Sequence, residues 1–139
     1  MVKYVNATAL EELISSTDKT VFCDFWASWC VPCIEQMPNV KRLREEYCER
    51  GLHIIGISSD DDEVAWRRAI EKYGLTAYPQ VLGEERSEVR LFFDELANVC
   101  DRYEVESIPC FVLIDDTGKI VARWQHFDEE IFELIEIFL

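Results

Sequence analysis

The stretch Thr20-Val21-Phe22-Cys23-Asp24-Phe25-Trp26-Ala27-Ser28-Trp29-Cys30-Val31-Pro32-Cys33 decides how the rest of the chain reads. Its first half, Thr20 to Trp26, is apolar and β-favouring, interrupted only by Cys23 and Asp24. A run of this kind, without polar alternation, predicts a strand buried on both faces. The second half closes on two cysteines separated by two residues. Pro32 suits the first turn of a helix, where a missing N–H costs little. The cysteine pair therefore falls at a strand-to-helix turn. Cys30 is expected at the helix start, where unpaired N–H groups favour negative charge and ease loss of the thiol proton. The thiolate is the form that attacks a disulfide. Cys30 is thus expected to be exposed and nucleophilic. Cys33, one turn deeper, is expected to stay shielded until a mixed disulfide forms. Val31 and Pro32 between them should tune the redox potential.

Beyond Cys33, Ile34, Met37, Leu43 and Tyr47 supply the apolar side of a helix that Pro38 should kink and Gly51 should stop. Leu52 to Ile57 is the next strand. Asp61 or Asp62 can cap a helix carrying Trp66, Ile70 and Tyr73, ended by Gly74. Leu75 to Phe93, with Pro79, Gly83 and Glu84-Glu85-Arg86, reads as a surface excursion. Leu96, Val99, Cys100 and Tyr103 fit a short helix. Phe111 to Ile114 and Ile120 to Trp124 flank Asp115-Asp116-Thr117-Gly118-Lys119, a hairpin signal. Asp128 can cap a last helix with Ile131, Leu134, Ile135 and Phe138 on one side. Toward the start, Thr8 and Glu11 form a capping box, and Leu10, Leu13 and Ile14 a helical stripe over about Ala9 to Ser16. Alternating strands and helices predict parallel pairing first, and the hairpin adds antiparallel strands. The expected fold class is α/β: one domain over residues 1–139, with a mixed central sheet flanked by helices on both faces.

Composition narrows the function. Hydrophobic residues make up 49% and charged residues 30% of 139, enough to build a packed core. A formal charge of −14, from 28 acidic and 14 basic residues, argues against nucleic acid or an anionic membrane as partner. The same charge favours solubility or attraction of basic partner proteins. No run approaches the roughly 20 apolar residues of a membrane span. The first residues lack the apolar core of a secretory signal, which at face value predicts a cytoplasmic protein. A trimmed piece of a longer chain would look the same and would leave a periplasmic or extracytoplasmic setting open. Of six cysteines only Cys30 and Cys33 lie close together, and no second pair supplies the other half of a zinc site. Redox chemistry is the better reading of that pair.

The segment Asp24 to Cys33 resembles the active-site segment of the thioredoxin superfamily. Ser107-Ile108-Pro109 before an apolar strand resembles its cis-proline loop, and Phe111 to Arg123 its terminal hairpin. Trp29-Cys30-Val31-Pro32-Cys33, with Glu35 and Pro38 after it, is closest to the TlpA/ResA-like and tryparedoxin-like branches. The resemblance implies a thioredoxin fold and a thiol-disulfide oxidoreductase. It implies that Asp24 is the buried acid assisting proton transfer to and from the deeper cysteine, with a raised pKa. It implies that Pro109 is cis and lies against the dithiol, and that Trp29, Val31, Pro32, Ile108 and Pro109 form the substrate surface. Trp26 is expected to be core.

Four features depart from the pattern or find no place in it. Cys110 follows the cis-proline, where relatives more often carry Thr. Cys23 sits beside Asp24. Packing is the expected role of both. The amino-terminal segment looks like one strand and one helix rather than a longer hairpin lead. Cys48 and Cys100 have no close sequence partner, and a disulfide between them stays open.

The catalytic expectation is therefore Cys30, Cys33 and Asp24, exchanging disulfides with protein substrates and recharged by a thiol donor, in a monomer with no cofactor or metal. The alternatives are a non-catalytic binding module using the cis-proline groove, and a metal-handling protein with Cys30, Cys33 and Cys110 as thiolate ligands. A peroxidase fits less well, since Cys30 has neither Thr nor Arg adjacent in sequence.

Overall fold

The computed structural model describes residues 4–5, 19–75, 80–82 and 105–139 of the chain. Strands β1 (Tyr4–Val5), β2 (Val21–Trp26), β3 (His53–Ser58), β4 (Gln80–Leu82), β5 (Cys110–Ile114) and β6 (Ile120–Trp124) form one sheet. Their order is β1-β4-β3-β2-β5-β6. Helices α1 (Val31–Glu35), α2 (Met37–Tyr47), α3 (Glu63–Tyr73) and α4 (Glu130–Phe138), with a short 3-10 turn at Cys48–Arg50 after α2, complete the described elements. Pairing is parallel from β1 through β2 and antiparallel from β2 through β6, the mixed sheet that the alternation predicts.

All six residues of β2 are buried, because the strand lies between β3 and β5 and is covered on both faces. Successive side chains of a strand point to opposite faces. Phe22 and Trp26 therefore join one core with Ile54, Phe111 and Leu113, into which α2, α3 and α4 send Met37, Leu43, Trp66, Ile70, Ile131 and Ile135. Val21, Cys23 and Phe25 join a second core with Ile55, Ile57, Cys110, Val112 and Ile114. The helices expected over Ala9 to Ser16 and from Leu96 to Tyr103 lie outside the described residues.

Local chemistry sets the ends of the elements. Asp62 Oδ1 accepts from Val64 N at 2.9 Å and Ala65 N at 3.2 Å, so Asp62 caps α3. Gly74 ends α3 at φ 66°, a left-handed conformation that suits glycine. Asp128 Oδ1 accepts from Glu130 N at 2.8 Å at the start of α4. In the hairpin, Asp115 Oδ1 accepts from Thr117 N at 2.9 Å and Lys119 N at 3.0 Å.

Two expectations are corrected. Pro38 does not kink a continuous helix but divides it. With no N–H to give and a ring that would meet the carbonyl of Ile34, it forces α1 to end at Glu35. The helix restarts as α2 with Pro38 in its first turn. The excursion expected over Leu75 to Phe93 is not all surface. Leu75 is fully buried, and Gln80–Leu82 enters the sheet through Gly56↔Gln80, Ile57↔Val81 and Ser58↔Leu82. Three residues between Pro79 and Gly83 are too short to show a period, and only the neighbouring strand reveals them. Residues 76–79 and 83–93 lie outside the described residues.

Candidate active site

Cys30 stands at the N-cap of α1 with extended backbone, φ −88° and ψ 98°. A turn delivers it there: Cys30 N donates to Ala27 O at 3.1 Å. Pro32 lies in the first turn of α1, as expected. Cys33 N donates to Cys30 Sγ at 3.3 Å, so a backbone N–H at the helix start is aimed at the sulfur. The two cysteines are joined in a disulfide, with Cα atoms 5.2 Å apart.

The expectation that Cys30 is exposed is corrected. It is 5% exposed and Cys33 1% exposed. Bonded to Cys33, Cys30 turns into the same core as Trp26 and Met37. What protrudes is its flanks, Trp29 at 63% and Val31 at 65%. Trp26 is fully buried, as expected.

Asp24 is buried in the middle of β2. By strand alternation its side chain projects from the face of Phe22 and Trp26, the face whose core holds the disulfide. Among the described residues its Oδ2 has no hydrogen-bond partner. Burial raises its pKa from 3.8 to about 7, because the charged form loses its hydration.

The Ile108–Pro109 peptide is cis. Antiparallel pairing sets Cys110 opposite Phe25, so Pro109 runs alongside the end of β2 from which Ala27 to Cys30 departs. Ile108 packs against the core that contains the disulfide. Strand register thus brings Trp29, Val31, Pro32, Ile108 and Pro109 to one end of the sheet.

Sequence reading did not single out Asp60. It is the first of three consecutive aspartates, of which Asp61 or Asp62 reads as a helix cap, and Asp62 supplies that cap. Asp60 instead lies buried, and its carboxylate accepts from Ser28 in the turn before Cys30.

The remaining thiols separate cleanly. Cys23 and Cys110 are buried in the second core, on the face away from the disulfide. Burial pushes the Cys23 thiol well above its ordinary pKa, and Asp24 and Cys110 add to the shift. Register therefore removes Cys110 from a shared thiolate site with Cys30 and Cys33. Among the described residues no group of three His, Cys, Asp or Glu is placed to hold a metal ion. Cys48 is exposed and outside any disulfide, and Cys100 lies outside the described residues. Among the described residues no helix is long and apolar enough to cross a membrane.

Known proteins resemble this chain in sequence and in fold. Residues 6–134 match the family described as Redoxin. The chain is 32% identical over 130 residues to the thiol-disulfide oxidoreductase ResA of Halalkalibacterium halodurans, covering 90% of this chain and 67% of that protein. It is 31% identical over 112 residues to ResA of Bacillus cereus, covering 81% of this chain and 58% of that one. Among solved structures, the thioredoxin domain of a thiol-disulfide oxidoreductase from Bacteroides vulgatus superposes with a TM-score of 0.74 at 26% identity, covering 92% of this chain and 84% of that one. A thiol-disulfide oxidoreductase from Bacteroides fragilis gives 0.72 at 29% identity, covering 90% and 85%. The mixed sheet is therefore that of a thioredoxin fold, and the chain belongs to the redoxin family as a ResA-like member of the thioredoxin superfamily.

Proposed function

We propose that this protein is a thiol-disulfide oxidoreductase that reduces disulfides in protein substrates. The observation that carries the reading is the Cys30–Cys33 disulfide at the start of α1, with Cys33 N donating to Cys30 Sγ. A donor aimed at that sulfur stabilises its thiolate. In the reduced enzyme the Cys30 thiolate attacks one sulfur of a substrate disulfide. The substrate S–S bond breaks, a mixed disulfide forms, and the second substrate sulfur leaves as a thiolate. Cys33 then loses its proton and attacks Cys30 Sγ. The mixed disulfide breaks, the Cys30–Cys33 bond forms, and the substrate departs carrying two electrons. An external dithiol returns the enzyme to its reduced form.

Asp24 serves as the proton acceptor for Cys33. A carboxyl with a pKa near neutrality exchanges protons at working pH. Trp29, Val31 and Pro32, with the Ile108–Pro109 backbone, form the surface on which the substrate chain lies. The exposure of Trp29 and Val31 supports this role. The excess of acidic residues favours basic substrate segments. The chain acts as one domain and as a monomer.

The test is insulin-disulfide reduction with dithiothreitol as donor, comparing wild type, Cys30→Ser and Cys33→Ser. Wild type is expected to accelerate precipitation of the insulin B chain, with both variants near background. Equal rates in all three would defeat the reading.

A further inference from the structure

Among the described residues, the mechanism leaves one buried carboxylate without a role. Asp60, in the loop between β3 and α3, is 1% exposed. Three donors converge on it. Ser28 N donates to Oδ2 at 2.9 Å, Ser58 Oγ donates to Oδ2 at 2.6 Å, and Ser28 Oγ donates to Oδ1 in a short bond. The Asp60 N–H donates in turn to Ser58 Oγ at 2.9 Å. The preceding residue adds a second tie, because Ser59 N donates to Trp26 O at 2.9 Å. Two consecutive residues of one loop thus hold the last residue of β2 and the middle of the turn that delivers Cys30.

Burial of a carboxylate is unfavourable unless hydrogen bonds replace its water. A loop that only joined β3 to α3 has no need to bury one, and Asp62 already caps α3. Two of the three bonds to the carboxylate come from Ser28, two residues before Cys30. Ser28 is also held on both its backbone N–H and its hydroxyl, which leaves that residue little freedom to turn.

We propose that Asp60 is a positioning residue for the dithiol: by clamping Ser28 it sets the turn that holds Cys30 within bonding reach of Cys33. The proposal rests on the oxidoreductase reading and extends it to a residue outside the motif. Its physical consequence is a higher effective concentration of each thiol toward the other. In the exchange with glutathione, the Cys30 and Cys33 thiols give two electrons to glutathione disulfide. The protein S–S bond forms, the glutathione S–S bond breaks, and two glutathione thiols leave with the two protons. Loosening the turn lowers the equilibrium constant of that reaction.

The experiment measures this constant by alkylating protein equilibrated in glutathione buffers and reading the Cys30–Cys33 peptide by mass. Asp60→Ala is expected to lower it about tenfold, or about 30 mV in potential for this two-electron couple. Ser28→Ala removes the hydroxyl tie and keeps the backbone one, so a fall of about threefold is expected. Asp60→Asn keeps an acceptor for Ser28 N and a partner for its hydroxyl, so it should stay within about twofold of wild type. A folded Asp60→Ala variant within twofold of wild type overturns the proposal. So does an Asp60→Asn variant that falls as far as Asp60→Ala, which would assign the effect to charge. Where Asp60→Ala does not fold, Ser28→Ala decides: the threefold fall supports the clamp and an unchanged constant overturns it. Failure of the oxidoreductase reading looks different, since wild type would then match Cys30→Ser in insulin reduction.

Discussion

The two faces of β2 each carry a buried pair of thiols, and they differ in chemistry. On one face Cys30 and Cys33 share a core with Trp26 and Met37 and are bonded to each other. On the other, Cys23 and Cys110 share a core with Phe25 and Ile55 and are not bonded to each other. Burial does not distinguish them, since all four are at most 5% exposed. Position does. Cys30 and Cys33 lie one helical turn apart, with a backbone N–H directed at the first sulfur. Cys23 stands opposite Val112 and Cys110 opposite Phe25, so the second pair is diagonal across antiparallel strands. Diagonal neighbours are roughly 7–8 Å apart, at or beyond the limit for a disulfide without backbone movement. Burial and the neighbouring Asp24 also hold Cys23 in its thiol form. A cysteine becomes reactive through the donors around it and the reach of its partner, while burial alone makes it a small apolar side chain.

The largest effect expected from this contrast is on the bonded face. Cys33→Ala should leave Cys30 able to attack but unable to release, trapping mixed disulfides and cutting insulin reduction on the order of 10³-fold. Trapped adducts are read by non-reducing electrophoresis, and a variant that turns over normally would make Cys33 dispensable.

Asp24→Asn removes the carboxyl on that face. Losing a general base typically slows a step by about 10²-fold or more, here the resolution of the mixed disulfide at pH 7. The same variant sharpens the pH dependence of stability. The Asp24 pKa rises from 3.8 to about 7 on folding, so between those values the folded state holds more protons than the unfolded chain. Stability therefore falls as pH rises from about 4 to about 7, by on the order of 4 kcal/mol in total. Urea unfolding across that range should slope downward for wild type and lie flatter for Asp24→Asn. Parallel curves would show that the carboxyl is not held neutral by burial.

In the reduced native protein, iodoacetamide should modify Cys30 at a lower pH than the exposed Cys48. Cys23 and Cys110 should resist until the protein unfolds. Mass spectrometry reads the order, and early labelling of Cys23 would erase the distinction between the faces. The smallest effect belongs to Cys23→Ala and Cys110→Ala. Insulin reduction should stay within about twofold, and each loss of a buried side chain should cost about 1 kcal/mol, or a few degrees in Tm.

Much of this arrangement was legible before any coordinates. An apolar run broken only by Cys23 and Asp24 meant a strand buried on both faces, and β2 is buried throughout. Pro32 and the aspartates and glycines at Asp62, Gly74 and Asp115 mark ends and turns by their own backbone chemistry, which acts over a few residues and so can be read locally. The strand at Gln80–Leu82 was not legible, because three residues carry no period. Nor was the buried state of Cys30, which depends on the disulfide and the core behind it. Asp60 was hidden among like neighbours, and its identity as the clamp depends on Ser28, 32 positions away in the chain.

By itself the sequence determined the chemistry available: a dithiol at a strand-to-helix turn, a carboxyl inside an apolar strand, and a proline before a second strand. Those features arise from short-range sterics and hydrogen bonding, so neighbouring residues suffice to specify them. Only the tertiary structure decided which thiols face one another and which are separated by the sheet. Strand register alternates side chains between faces and joins residues that are far apart in the chain, and no local pattern contains that information.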